Sequence, residues 1–286
     1  MTTPNNDDDS PALSERFDRD GFVLLRQKLL VDSLLPWHAL FERLWEDLMD
    51  RQVVKQPLGI GVKHGFKEIV QRSPGRYELS LLHHDEFWLP RQRLLVQELK
   101  ECLSNIAPPL LQQSHWHRIH IANLSFVVST PGAATQGWHA DGPHLSLTHH
   151  LPCHCLNLFI SLQDMPTMDW GPTQLRPGSH VYTRNLAPML LAARARRQLR
   201  PTVAPLLQCG DVLALDYRTL HRGLANTLTP TDSNPNRRVL LVLTVARQGF
   251  QDRLNFPSRS IYDNNESKNG TGEATESKEK EAQLDC

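Results

Sequence analysis

Beyond about His117 the chain breaks into short runs of β-branched and large apolar residues. RIHIANLSFVVST (118–130), HCLNLFISLQ (154–163), GDVLALDY (210–217) and RVLLVLTVAR (238–247) are separated by Gly, Pro, Asn and Asp. Runs this short cannot make a helical bundle; they need sheet partners on either side. Ahead of them the pattern differs. GFVLLR (21–26) reads as one short buried strand. VDSLLPWHALFERLWEDLMD (31–50) then spaces Leu34, Trp37, Phe41, Leu44, Trp45 and Leu48 as one face of a helix, with Pro36 in its first turn. RQRLLVQELKECLSNI (91–106) predicts a second amphipathic helix through Leu95, Leu99, Cys102 and Ile106, and both stripes are read as core-facing. Helices first and strands afterwards predict a helical layer outside an antiparallel sandwich or barrel. An inserted basic helix is expected over 184–200, its charges read as a solvated face.

The two ends are polar and nearly free of large apolar groups. Residues 1–11 and 263–286 are therefore expected to be disordered tails around a single domain over 12–262, because such segments bury too little surface to offset the entropy of ordering. Thirty-one basic residues balance 31 acidic ones, so no global field favours nucleic acid or a membrane surface. No apolar run approaches the ~20 residues of a membrane helix. Five cysteines, at 102, 153, 155, 209 and 286, form no disulfide framework, which points to a reducing, cytoplasmic setting.

The chemistry concentrates in GWHADGPH (137–144). Residues i and i+2 of a strand share a face, about 7 Å apart. His139 and Asp141 can thus reach one ion while Trp138 and Ala140 point away. With one more histidine they would make the two-histidine, one-carboxylate face of non-haem iron oxygenases, which leaves coordination positions open. LDYRTLHRGLAN (215–226) supplies that histidine as His221, just past a strand. Arg237 and Arg238 open the last strand, where alternation lets only one guanidinium point inward. An inward arginine would bind a carboxylate through paired hydrogen bonds. THHLPCHC (148–155) offers His149, His150, Cys153, His154 and Cys155, but structural zinc takes paired ligands from two places, so this is read as a substrate-facing loop. VKHGFKEIVQRSPGRYELS (62–80) reads as a mobile lid.

In this order, GWHADGPH, GPTQLRPGSH, GDVLALDYRTLHRGLAN and RRVLLVLTVAR resemble the phytanoyl-CoA dioxygenase family of Fe(II)- and 2-oxoglutarate-dependent oxygenases. The opening RFDRDGFVLLRQKLLVDSLLPWHALFE is similar too, and the likeness runs from about Phe17 to Phe256. It implies a mainly β fold with flanking helices, a double-stranded β-helix (cupin-like jelly roll). It implies iron held by His139, Asp141 and His221, with 2-oxoglutarate and O2 as cosubstrates, and hydroxylation or related C–H oxidation of a small organic molecule with release of succinate and CO2. The family register places the cosubstrate anchor at Arg237, with Arg238 the competing position, because sixteen residues separate His221 from Arg237. Trp170 stands where the family has Asn before Gly-Pro. A carboxylate at 141 disfavours halogenation. Two other readings use the same residues: a non-catalytic small-molecule-binding protein on this scaffold, and a zinc hydrolase at the same triad.

Overall fold

The computed structural model describes residues 12–49, 58–82, 95, 97–99, 119–146, 148–181, 200–231, 235–252 and 255–262. A first helix, α1 (Leu13–Asp20), stops at Gly21, and β1 (Phe22–Leu25) follows at once. The long helix α2 (Val31–Leu48) buries Leu34, Trp37, Leu40, Phe41, Leu44, Trp45 and Leu48, the predicted stripe with Leu40 added. Pro36 falls in its second turn rather than its first, inside the helix, so the Asp32 carbonyl goes without the main-chain N–H that would otherwise reach it. Leu95 and Leu99 of the second predicted helix are helical and buried; most of that segment and nearly all of 184–200 lie outside the described residues, as do both terminal segments.

Among the described residues nine strands make two sheets. The larger runs β1, β7 (Val212–Asp216), β5 (Cys155–Ser161), β9 (Arg238–Arg247), β4 (Ile119–Ser129), β3 (Arg76–Ser80) and β2 (Ile69–Ser73), with every neighbouring pair antiparallel. The smaller pairs β6 (Thr173–Leu175) with β8 (His221–Gly223), and single bridges widen it on both sides, from Leu175 to Val203 and from His221 to His139. The segment expected to be a lid is instead a turn of 3-10 helix followed by the β2–β3 hairpin that closes one edge of the large sheet. Its apolar residues Ile69, Val70 and Leu79 are buried, which holds it in place as an edge rather than leaving it to move.

The two sheets form the double-stranded β-helix, and period-two alternation assigns their faces. Along β9, Val239, Leu241, Leu243 and Val245 face the helical layer, where Phe41 of α2 meets Phe126 edge-on at 5.5 Å and Trp45 meets Tyr77 at 5.5 Å. Each such buried aromatic contributes roughly 2–3 kcal/mol of transfer free energy. The alternate residues, Arg238, Leu240, Val242 and Thr244, face the space between the sheets. Leu240 and Val242 join Phe159, Leu175, Leu213 and Leu215 in the inner core. A register shift between Ile121 and Asn123 returns Ile121 to the helical side and sets Asn123 directly beside Thr244. The inner face is therefore apolar at one end and polar across its middle.

Candidate active site

A cavity of about 470 Å3 occupies the space between the sheets. On one wall His139 and His221 face each other across a two-way backbone bridge: His139 N–H donates to the His221 carbonyl at 3.0 Å, and His221 N–H donates back at 2.8 Å. The imidazole centroids lie 4.5 Å apart. Asp141 follows on a turn whose amides, those of Asp141 and Gly142, both donate to the Tyr217 carbonyl. Gly142 is required there, because a Cβ at this position would overlap the Tyr217 ring. The Ser179 hydroxyl, in the Pro-Gly-Ser-His turn, accepts from Leu220 N–H at 2.8 Å and donates to the Arg176 carbonyl, fixing the residue just ahead of His221.

Both imidazoles are oriented by the main chain. His139 Nδ1 lies 2.9 Å from the Gly137 carbonyl and His221 Nδ1 lies 2.9 Å from that of Thr219. A carbonyl only accepts, so each Nδ1 carries the proton and each Nε2 presents its lone pair. Those two Nε2 atoms lie 4.0 and 3.5 Å from the oxygens of the Asp141 carboxylate. Burial, and then the neighbouring His221, hold His139 below the usual imidazole range, which favours the neutral form that could ligate a metal. Among the described residues this is the one set of three His, Cys, Asp or Glu side chains whose ligand atoms all fall within 4.8 Å. Two imidazole nitrogens and one carboxylate on one side, with cavity on the other, fit a divalent iron with positions to spare. Trp138 points the other way, as strand parity predicts, with Arg176 and Arg222 at 4.8 and 4.5 Å from its ring.

The arginines separate. Arg238 is buried, lines the cavity and donates to the Gly171 carbonyl; its Nε has no partner. Gly171 has φ 65, and a Cβ on it would overlap the Leu224 carbonyl, so the turn that offers this oxygen admits only glycine comfortably. Arg238 makes no carboxylate pair among the described residues; burial, with Arg76 nearby, pushes it down to about 9. Arg76 is buried too and donates to the Ala134 and Leu224 carbonyls. Arg237, the position favoured by the family register, does not enter the cavity. It faces α2, 5.0 Å from the Trp45 ring and 5.6 Å from that of Phe41, and pairs with Glu42 at 2.5 Å. The reason is phase: Arg237 shares the parity of Val239 and Leu241, which face the helices. Trp170, in place of the family's Asn, is half-buried against the inner core.

The far wall carries Arg72, Glu78, Asn123, Asn255 and Phe256. Arg72 donates to Glu78 at 2.5 and 2.8 Å, and its guanidinium sits 5.7 Å from the Phe256 ring. The segment after β9 closes this wall as a strap. Tyr217 donates its hydroxyl to Asp252, Asn255 donates to the Asp141 carbonyl at 2.8 Å, Arg259 to the Gly65 carbonyl at 2.8 Å, and Ser260 to Glu68. THHLPCHC does not converge on an ion: His149 hydrogen-bonds Thr148, Cys153 donates to the Cys155 carbonyl, and His154 packs on Phe250. Sequence reasoning missed Asn157, whose amide donates to the Asp141 carboxylate at 2.6 Å, and Thr244, whose hydroxyl donates to Asn157 at 2.6 Å. The available signal was a lone polar residue inside each of two otherwise apolar strands.

Two histidines and a carboxylate facing a cavity in a double-stranded β-helix define a non-haem Fe(II) enzyme of the 2-oxoglutarate-dependent kind. A family model described as Phytanoyl-CoA dioxygenase (PhyH) matches residues 17–229, and the chain belongs to that family. No curated protein sequence matches it. Solved structures with the same fold include AviO1 from Streptomyces viridochromogenes Tue57, 23% identical at a TM-score of 0.58 over 84% of this chain and 96% of that one. SnoK, a carbocyclase from nogalamycin biosynthesis, is 18% identical at a TM-score of 0.56 over 91% and 97%. HygX from Streptomyces hygroscopicus, with nickel and 2-oxoglutarate bound, is 15% identical at a TM-score of 0.55 over 82% and 86%. Among the described residues no helix is long and apolar enough to cross a membrane.

Proposed function

We propose that this protein oxidises a C–H bond of a small organic molecule, in the simplest case by hydroxylation, with 2-oxoglutarate as cosubstrate. His139, Asp141 and His221 would hold Fe(II). Bound there, the metal supplies activation of O2 coupled to decarboxylation of 2-oxoglutarate to succinate and CO2. The chain's own residues do the rest. Arg238, desolvated and without a carboxylate partner, accepts the far carboxylate of the cosubstrate, with Thr173 beside it on the same cavity wall. The apolar residues Phe159, Leu240 and Val242 exclude water between that carboxylate and the ligands. The substrate is left the opposite side, under Phe256 and among Arg72, Glu78, Asn123 and Asn255.

The observation that carries this reading is a donor triad and an uncompensated buried guanidinium opening on one cavity. A small-molecule substrate is further supported by two proteins of the same fold, SnoN, crystallised with nogalamycin RO, and HygX, crystallised with hygromycin B. SnoN is named an epimerase and SnoK a carbocyclase, so outcomes other than hydroxylation are compatible with this scaffold. Anaerobic titration with Fe(II) and 2-oxoglutarate tests the assignment through the weak visible charge-transfer band of the chelated cosubstrate. The band is expected in the wild type and absent from Asp141→Ala; its absence from the wild type, or its persistence in the variant, removes the reading.

A further inference from the structure

Asn157 and Thr244 are 3% and 4% exposed, in strands whose other buried residues are almost all apolar. A buried amide or hydroxyl costs about 1–3 kcal/mol when left unpartnered, so two of them side by side in the centre of a sheet need an explanation. They are direct cross-strand partners, Asn157 of β5 opposite Thr244 of β9. Their hydrogen bonds lead outward to one place, the carboxylate of Asp141.

We infer that Asn157 and Thr244 are positioning residues that hold the Asp141 carboxylate in its ligating orientation. The inference rests on the reading that His139, Asp141 and His221 hold a divalent metal. Asp141 as a carboxylate can only accept, so the NH2 end of the Asn157 amide must face it. The amide oxygen then faces Thr244, whose hydroxyl must donate. The polarity of the chain is therefore fixed from Thr244 through Asn157 to Asp141. Without the hydroxyl, the amide can turn about χ2 and set oxygen against oxygen. Among the described residues the Asp141 carboxylate accepts a hydrogen bond from Asn157 alone, at 2.6 Å. Asn255 grips the Asp141 carbonyl and so fixes the main chain, not the carboxylate. Rotation of that group about its own bond is thus restrained by a single amide, itself restrained by a single hydroxyl. Partners of this sort behind metal ligands commonly change affinity by about 10- to 100-fold.

The test is Co(II) binding by metal-free protein, followed by visible d–d absorption, for wild type, Asn157→Leu, Thr244→Val and Thr244→Ser, each with its metal-free thermal midpoint. Asn157→Leu is expected to bind Co(II) about 10- to 100-fold more weakly with an altered band shape. Thr244→Val should lose several-fold, and Thr244→Ser, which keeps the hydroxyl, should stay within about twofold of wild type. Should Asn157→Leu fail to fold, the valine and serine variants carry the comparison. Wild-type affinity in Asn157→Leu or in Thr244→Val overturns the positioning role while leaving the metal site standing. Equal loss in the valine and serine variants, tracking their thermal midpoints, marks a merely structural pair and also overturns it. Failure of the wild type to bind Co(II) removes the metal reading itself, and this inference with it.

Discussion

A guanidinium taken out of water and left without a carboxylate is among the costlier groups a fold can carry, and Arg238 is held in that state 3% exposed. The next residue back, Arg237, has its charge met by Glu42 and its plane set against Trp45. The two side chains should therefore fail in opposite ways. Arg238→Ala is expected to raise the KM for 2-oxoglutarate about 10- to 100-fold, with Arg238→Lys recovering part of the loss, since charged hydrogen bonds are worth about 1.5–3 kcal/mol. Arg237→Ala should leave that KM within about twofold and lower the unfolding free energy by about 1–2 kcal/mol in urea melts. A KM effect at 237 and none at 238 would reverse the assignment. Strand alternation already said that only one arginine turns inward. Which one depends on the phase of β9 against α2, a contact between residues about 195 apart that local pattern does not report. That His139, Asp141 and His221 come together was legible from the i, i+2 pair and a histidine just past a later strand; Asn157 and Thr244 are ordinary strand residues until Asp141 is seen beside them.

The proposed ligands stand on short elements. His221 opens a three-residue strand, and His139 belongs to a single bridge rather than to a strand. Their spacing is set less by regular sheet than by the close approach of the 141–142 turn to Tyr217. Gly142→Ala must push that turn away from the ring, which Asp252 and Asn255 hold from the far side. It is expected to weaken Co(II) or Fe(II) binding by about tenfold or more. Gly137→Ala, where an added Cβ meets nothing within 4 Å, should remain within about twofold, and parity between the two variants would contradict this account. At this scale the long helix α2 and the strands β1, β4, β5, β7 and β9 were readable from periodicity, and so was the parity of Trp138, whereas α1 was not foreseen. The hairpin over 69–80 was not. Its Gly, Lys and Arg suggest a mobile loop, while its burial comes from β4, whose pairing with β3 only the fold reveals.

Taken whole, the described residues include several imidazoles with depressed proton affinity, of which His154 and His180 are buried, His139 and His144 half-buried and His150 exposed. His139, His144, His150, His154 and His180 are all held below the usual range, burial being the largest cause at each, and His154, with neither ring nitrogen partnered, is pushed down to about 4. A depressed imidazole means that the unfolded chain takes up protons first. Stability is then fully present above about pH 6.5 and is lost as pH falls from there towards 4. Urea midpoints should be clearly lower at pH 5 than at pH 7.5, and His154→Leu should narrow the gap; equal midpoints in the wild type would refute it. An antiparallel sandwich or barrel was legible from the strand-rich second half, and the resemblance to the phytanoyl-CoA dioxygenase family narrowed it to the double-stranded β-helix. The closing of the cavity was not, because DRLNFPSRSIY carries no periodicity, and its described residues Asp252, Asn255, Arg259 and Ser260 owe their place to Tyr217, Gly65 and Glu68, all distant in sequence. That wall has a practical meaning. Phe256 and Asn255 belong to the chamber as fully as any strand residue, so a label or fusion partner spliced in between Asp252 and Tyr262 would open the reaction space to solvent.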